Sequence, residues 1–220
     1  MTKNDADCEP DWATAAEVRV LEAALPLAAT LGWRETLVAA AARAAGLSPA
    51  DALLLLPNGA GDLAALLARR HDSAALAALA TVDAGTLKIR ERIRTAVQAR
   101  IDAALVDEAA VRACTRWLAQ PPHLPLAGRL AWASADGLWR WAGDTATDAN
   151  HYSKRAILTG VLTSTLAVRL ARGEAAAADH LDARIANVMA FEVWKAKLPD
   201  ASGWGTAAAG LLGRLRYGAR

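Results

Sequence analysis

The chain has 220 residues, a length that fits one or two compact domains. Alanine supplies 57 of them and leucine 31, against 16 for valine plus isoleucine and 11 for Phe, Tyr and Trp; this balance favours helices and excludes a β-sandwich or barrel, whose pleated faces need β-branched and aromatic side chains. With 54% apolar residues and a net charge of +2, the chain can build a large core and lacks the basic excess of a non-specific nucleic-acid coat.

Residues 1–12 read as an acidic, polar tail with neither the apolar core of a secretory signal nor the arginines of an organellar presequence. Val18, Leu21, Leu25 and Ala28 recur at helical spacing over Thr14–Leu31, and Gly32 closes that helix. A second helix is expected over Glu35–Ala45. Ser48 as N-cap and Pro49 at the first helical position open a third, which Pro57-Asn58-Gly59 stops. A fourth covers about 61–70. Weaker patterns follow at 73–81, 86–104 and 107–119, ended by Pro121, Pro122 and Pro125. Longer helices are predicted over 126–142, 149–171 and 174–197. Pro199–Gly203 is a linker, and 204–217 is a last helix. The fold class is all-α, about ten helices. The longest charge-free apolar stretches are 13 residues, short of the roughly 20 that span a bilayer.

Three short helices with Gly-Leu-Ser before the third make a helix-turn-helix outline. Val20–Leu25, Leu31-Gly32-Trp33 and Ala44–Ser48 resemble the head of tetracycline-repressor-like regulators. The helix that should read bases is Ala50-Asp51-Ala52-Leu53-Leu54-Leu55-Leu56. It offers no Arg, Lys, Asn, Gln, Ser or Thr to base edges. Residues 1–70 carry 6 basic and 9 acidic groups, a net charge of −3, opposite to what phosphate binding demands. The head therefore reads as degenerate, a packing unit that binds no nucleic acid. A ligand-responsive repressor-type regulator is the alternative.

The most distinctive segment is Trp139–Leu158, where Gly143 ends one helix and Thr145, Thr147 or Asp148 can cap the next. Trp139, Ala142, Gly143, Asp144, Thr147, Asp148, Asn150, Tyr152, Ser153, Lys154, Arg155 and Ala156 match a motif of the accessory lipid-binding proteins of coenzyme Q (ubiquinone) biosynthesis. With Leu181–Met189 and the repressor-like head, the resemblance runs over roughly residues 16–198. It implies a tetracycline-repressor-like fold that encloses a lipid and supports the di-iron monooxygenase that hydroxylates demethoxyubiquinone. It also implies a partner-binding surface at Trp139, Asp144, Asp148, Asn150, His151, Tyr152, Lys154 and Arg155. This family commonly has aromatics where Ala149 and His151 stand, so the apolar anchor is smaller here.

No catalytic residue, metal site or cofactor is expected. Asp144, Asp148 and His151 fall at i, i+4 and i+7, but capping accounts for both aspartates. Glu-x-x-His, the di-iron signature of bundle oxygenases, occurs nowhere in the chain. Cys114, beside Val111, Trp117 and Leu118, reads as a core thiol. Candidate lipid-lining positions are Ile93, Val97 and Ile101 on one helical row, Leu130, Trp132 and Leu138 on the next long helix, Ile157, Val161 and Leu162, and Ile185 and Met189. In the last helix Trp204, Leu211, Leu212 and Leu215 share an arc that Arg214 and Arg216 flank. That is an interfacial membrane pattern.

The expected organisation is a tail (1–12), a head (13–70), a lipid-binding helical domain (71–198) and a linker with a membrane helix (199–220). A homodimer in the bacterial cytoplasm is expected, peripheral on the inner face of the cytoplasmic membrane. Its partners would be an isoprenoid quinone and the hydroxylase.

Overall fold

The computed structural model describes residues 12–144 and 149–196, and side chains there except those of 149–151 and 189–196. Outside these lie most of the tail, Asp148, the side chains of Asn150, His151 and Met189, and the arc of Trp204, Leu211, Leu212, Arg214, Leu215 and Arg216. Among the described residues there are nine α-helices and no strand: α1 (Trp12–Leu31), α2 (Glu35–Ala44), α3 (Pro49–Leu55), α4 (Ala60–Leu79), α5 (Ile89–Leu105), α6 (Glu108–Leu118), α7 (Leu124–Trp141), α8 (Ala149–Arg172) and α9 (Glu174–Ala196). No single helix among them is long and apolar enough to cross a membrane. The chain divides into two units, residues 1–181 and 182–220. The described part of the second is the end of α9.

The punctuation acts as local chemistry predicts. Ser48 Oγ accepts from the backbone N–H of Asp51 at 3.1 Å, with Pro49 following it at the helix start. α2 and α3 meet at 118°, within the range of helix-turn-helix pairs. Gly59 has φ +52°, a backbone state that side chains with a Cβ rarely adopt. There the chain turns into α4, whose first N–H, on Ala60, donates to Glu35 Oε1 at 3.0 Å. A Cβ on Gly59 would lie 2.1 Å from the Glu35 carboxylate.

One expectation is corrected. The helices read at 61–70 and 73–81 are a single helix, α4. The polar run Arg70-His71-Asp72-Ser73 lies inside it, and His71 is 3% exposed. The polar run continues the helix because its side chains find partners inside the bundle.

In the first unit α1 packs on α2 and α6, α4 on α5 and α7, and α7 on α8. One core cluster joins Val20, Leu21, Leu37, Leu63 and Leu67 to Val111 and Cys114. It runs across residue 70, which lies inside α4, so the head and the helices beyond it share apolar packing. Trp33, 3% exposed, donates its indole N–H to the carbonyl of Ala60 at 3.0 Å, which satisfies its polar edge within the core. Trp117 is half-buried against the same cluster and stacks on His123 with centroids 3.7 Å apart.

Candidate functional site

Helices α4 to α8 enclose a cavity of about 250 Å³. Its walls are Ala64, Leu67 and Ala68 of α4, Ile101 and Ala104 of α5, Val111, Cys114 and Leu118 of α6, Ala127, Leu130 and Ala131 of α7, and Leu162 and Leu166 of α8. The space exists because alanines face one another where larger side chains would interdigitate. Burial gives it a direction. Ala119, Leu124, Thr163 and Ala167 line it and are exposed, so they form the rim. Its buried floor holds His71, Arg100 and Ser134 beside apolar residues such as Leu67, Ile101 and Cys114. Leu124 and Ser134 are ten residues apart on α7, which makes the slot about 15 Å long at the helical rise.

The floor carries the charged and buried polar groups of the lining. Arg100 donates from Nε to Asp72 Oδ1 at 2.5 Å, and Ser134 Oγ donates to the same oxygen at 2.6 Å. His71 Nε2 lies 2.9 Å from Asp107 Oδ2, which also meets Arg70 Nε at 3.2 Å. Because a carboxylate only accepts, His71 carries its proton on Nε2 and leaves Nδ1 as an acceptor. Burial pushes the His71 pKa down, against the hydrogen bond that His71 donates to Asp107, so the imidazole is neutral. Cys114, 5% exposed, has its pKa pushed up to about 12 by burial, which leaves an unreactive thiol.

Of the expected lipid-lining residues, Ile101, Leu130 and Leu162 face this cavity. Val97, Leu138, Val161 and Ile185 are buried, and Ile93, Trp132 and Ile157 are half-buried; none of these seven lines it. His71, Asp72, Arg100, Asp107 and Ser134 were not singled out from sequence. Their signal was a polar run in mid-helix, compatible with a loop until the partners on α5, α7 and the α5–α6 turn are placed.

The motif segment forms a staple between α7 and α8. Gly143, at φ +88°, ends α7 and delivers Asp144. The Asp144 carboxylate accepts from Lys154 Nζ at 2.7 Å and from Arg155 Nη1 at 3.0 Å. Arg155 also donates to Asp136 on α7. The side chains of Asp144 and Arg155 are 5% and 2% exposed. Burial works to raise the Asp144 pKa, but the bonds from Lys154 and Arg155 outweigh it and hold the carboxyl below its usual range. Trp139 donates its indole N–H to the carbonyl of Lys154 at 3.0 Å, and the Lys154 ammonium sits 5.5 Å above the Trp139 ring. Asp144 and Arg155, expected at an exposed partner surface, are instead buried in this staple. Tyr152 is exposed at 64%, 6.3 Å from Trp132 between ring centres. Arg92 donates to the carbonyls of Leu87 and Ala142 and ties α5 to the end of α7.

Residues 124–192 match the COQ9 family model; these are α7, α8 and most of α9. The chain is 28% identical over 159 residues to the mitochondrial ubiquinone biosynthesis protein COQ9 of Xenopus tropicalis, covering 69% of this chain and 50% of that protein. It is 28% identical over 155 residues to the protein of that name from Bos taurus, covering 67% and 48%. A Xenopus laevis relative, COQ9-A, is 40% identical over 50 residues, which is 23% of this chain and 16% of that protein. The chain spans about half the length of the curated relatives it matches along most of its own. These matches bear out the resemblance to the ubiquinone-biosynthesis accessory family. They correct the expected location. The relatives are mitochondrial proteins of eukaryotes, and a bacterial cytoplasm does not agree with them.

Proposed function

We propose that this protein is a lipid-binding accessory protein of ubiquinone biosynthesis. It takes an isoprenoid quinone intermediate into the cavity between α4 and α8 and presents it to the demethoxyubiquinone hydroxylase, a di-iron enzyme. It acts by binding and performs no chemistry itself. The cavity carries this reading: an apolar slot of about 250 Å³, two of whose walls, α7 and α8, lie in the segment that matches the COQ9 family. Pockets of this kind, largely apolar with a few placed polar groups, are the usual sites of small hydrophobic ligands.

The remaining parts of the proposal rest on narrower observations. The 118° meeting of α2 and α3 supports a tetracycline-repressor-like scaffold. α3 turns Leu53 and Leu54 to solvent at 67% and 74% exposure, side chains that cannot pair with base edges, so the head serves as scaffold. The exposed Tyr152, backed by the Asp144–Arg155 staple, supports a partner-docking role for the start of α8. The sequence pattern of 204–217 supports a peripheral contact with a membrane surface. The test is mass spectrometry of an organic extract from gently purified protein. Recovery of quinones or prenols supports the proposal, and a clean extract contradicts it.

A further inference from the structure

The floor of the cavity offers hydrogen bonds that the protein does not use. Arg100 is 9% exposed. Among the described residues its one hydrogen bond runs from Nε to Asp72, which leaves both Nη groups without a protein acceptor. No Arg100 nitrogen is among the fully enclosed, unpartnered atoms, so these Nη groups open onto free space. A guanidinium carries five N–H donors in a rigid fork. Water can meet these donors in the empty cavity, but a ligand that displaces it must offer an acceptor in its place, since a donor left unpaired in an apolar site is costly. The charges beneath are already balanced: Arg100 against Asp72 and Arg70 against Asp107, with His71 neutral. An anionic head would add an uncompensated charge to this floor, whereas an uncharged oxygen would not.

We infer that the cavity takes its ligand head first, with a neutral carbonyl oxygen of a quinone-type ring accepting from Arg100 beside His71 and Ser134, and the apolar tail leaving past Leu124. This rests on the lipid-binding reading above. It adds an orientation and makes Arg100 a determinant of specificity. A head held at this depth lies about 15 Å of helix from the rim, so the oxygens would be shielded from water until the ligand is handed on.

The test uses the full chain, freed of bound lipid, and three probes with the same ten-carbon tail: a decyl-substituted benzoquinone, decylbenzene and decanoate. Each is delivered from cyclodextrin and measured by equilibrium dialysis. The quinone should bind about tenfold more tightly than decylbenzene, the factor expected of a hydrogen bond to a charged donor, and more tightly than decanoate. Arg100→Lys keeps the charge on Asp72 but loses the fork, and should bring the quinone within about threefold of decylbenzene while decylbenzene affinity is unchanged. Ser134→Ala, whose hydroxyl proton already goes to Asp72, is the control and should keep the quinone preference. Equal binding of quinone and decylbenzene by the wild type overturns the head-first inference and leaves lipid binding standing. Tighter binding of decanoate overturns the neutral head. Binding of none of the three overturns the lipid reading and this inference with it. The comparison among probes needs no variant, so it holds even where a substitution impairs folding.

Discussion

Replacing Asp144 with Asn removes the charge at the centre of the α7–α8 staple. Arg155 is then left buried, at 2% exposure, with Asp136 as its remaining carboxylate among the contacts described above. Removing one partner of a buried pair costs about 3–5 kcal/mol, because the other charge stays desolvated. Asp136 offsets part of that loss, so the expected cost is about 2–3 kcal/mol. For a chain of this size each kcal/mol moves the melting temperature by about 2–4 °C, so the midpoint should fall by about 4–12 °C. The assay is helical circular dichroism followed with temperature. Lys154→Ala, which removes the partner that is 33% exposed, is the control and should cost less than about 1 kcal/mol. The pH dependence gives a second reading. The folded Asp144 pKa lies below its unfolded value, so its contribution is complete above the unfolded value near 3.9 and is lost as pH falls through the folded value. Asp144→Asn should remove that share of acid sensitivity. A melting temperature within 2 °C of wild type would refute the staple as a stabilising device.

Gly59→Ala should destabilise by more than about 1 kcal/mol in urea titration, since φ is positive and the new Cβ would meet the Glu35 carboxylate. His71 is buried neutral, facing Asp107, Arg70 and Arg100, with its folded pKa below 6.5. The unfolded chain therefore binds the proton first as pH falls below 6.5, and melting temperature should drop through that window; His71→Leu should abolish this component. Alkylation at Cys114 should be undetectable in the native state at pH 8 and rapid in urea, read by peptide mass spectrometry, because its pKa is about 12 and it is buried. Truncation after Pro199 should lower co-sedimentation with anionic liposomes, and unchanged binding would remove the membrane role of the 204–217 arc.

Much of the architecture was legible because local chemistry decides it. Ser48-Pro49 starts α3, and Pro121 and Pro122 separate α6 from α7, whose first turn holds Pro125. The middle of α4 was not legible. Arg70, His71 and Asp72 have the composition of a break, and only Arg100, Asp107 and Ser134, 28 to 62 residues away in sequence, turn them into an interior network. Helical periodicity found the apolar faces but not the empty space between them. Val97 and Leu138 share their helices with Ile101 and Leu130, yet they are packed in the core and do not line the cavity. A cavity depends on how several helices meet, which no single helix records. The motif shows the converse. Its residues were legible by resemblance, while the burial of Asp144 and Arg155 became visible only once α7 and α8 were paired.

The central claim is that the α4–α8 cavity holds a lipid. It is tested most directly by the molar ratio of extracted lipid to protein, compared between wild type and Ala131→Phe. Ala131 lines the slot, and a phenyl ring there occupies ligand space. The expected result is a near-stoichiometric ratio for wild type and at least a tenfold lower ratio for Ala131→Phe, with melting temperature held or raised by the filled void. Equal ratios in two folded proteins would place the lipid elsewhere, and no lipid in either would contradict the claim.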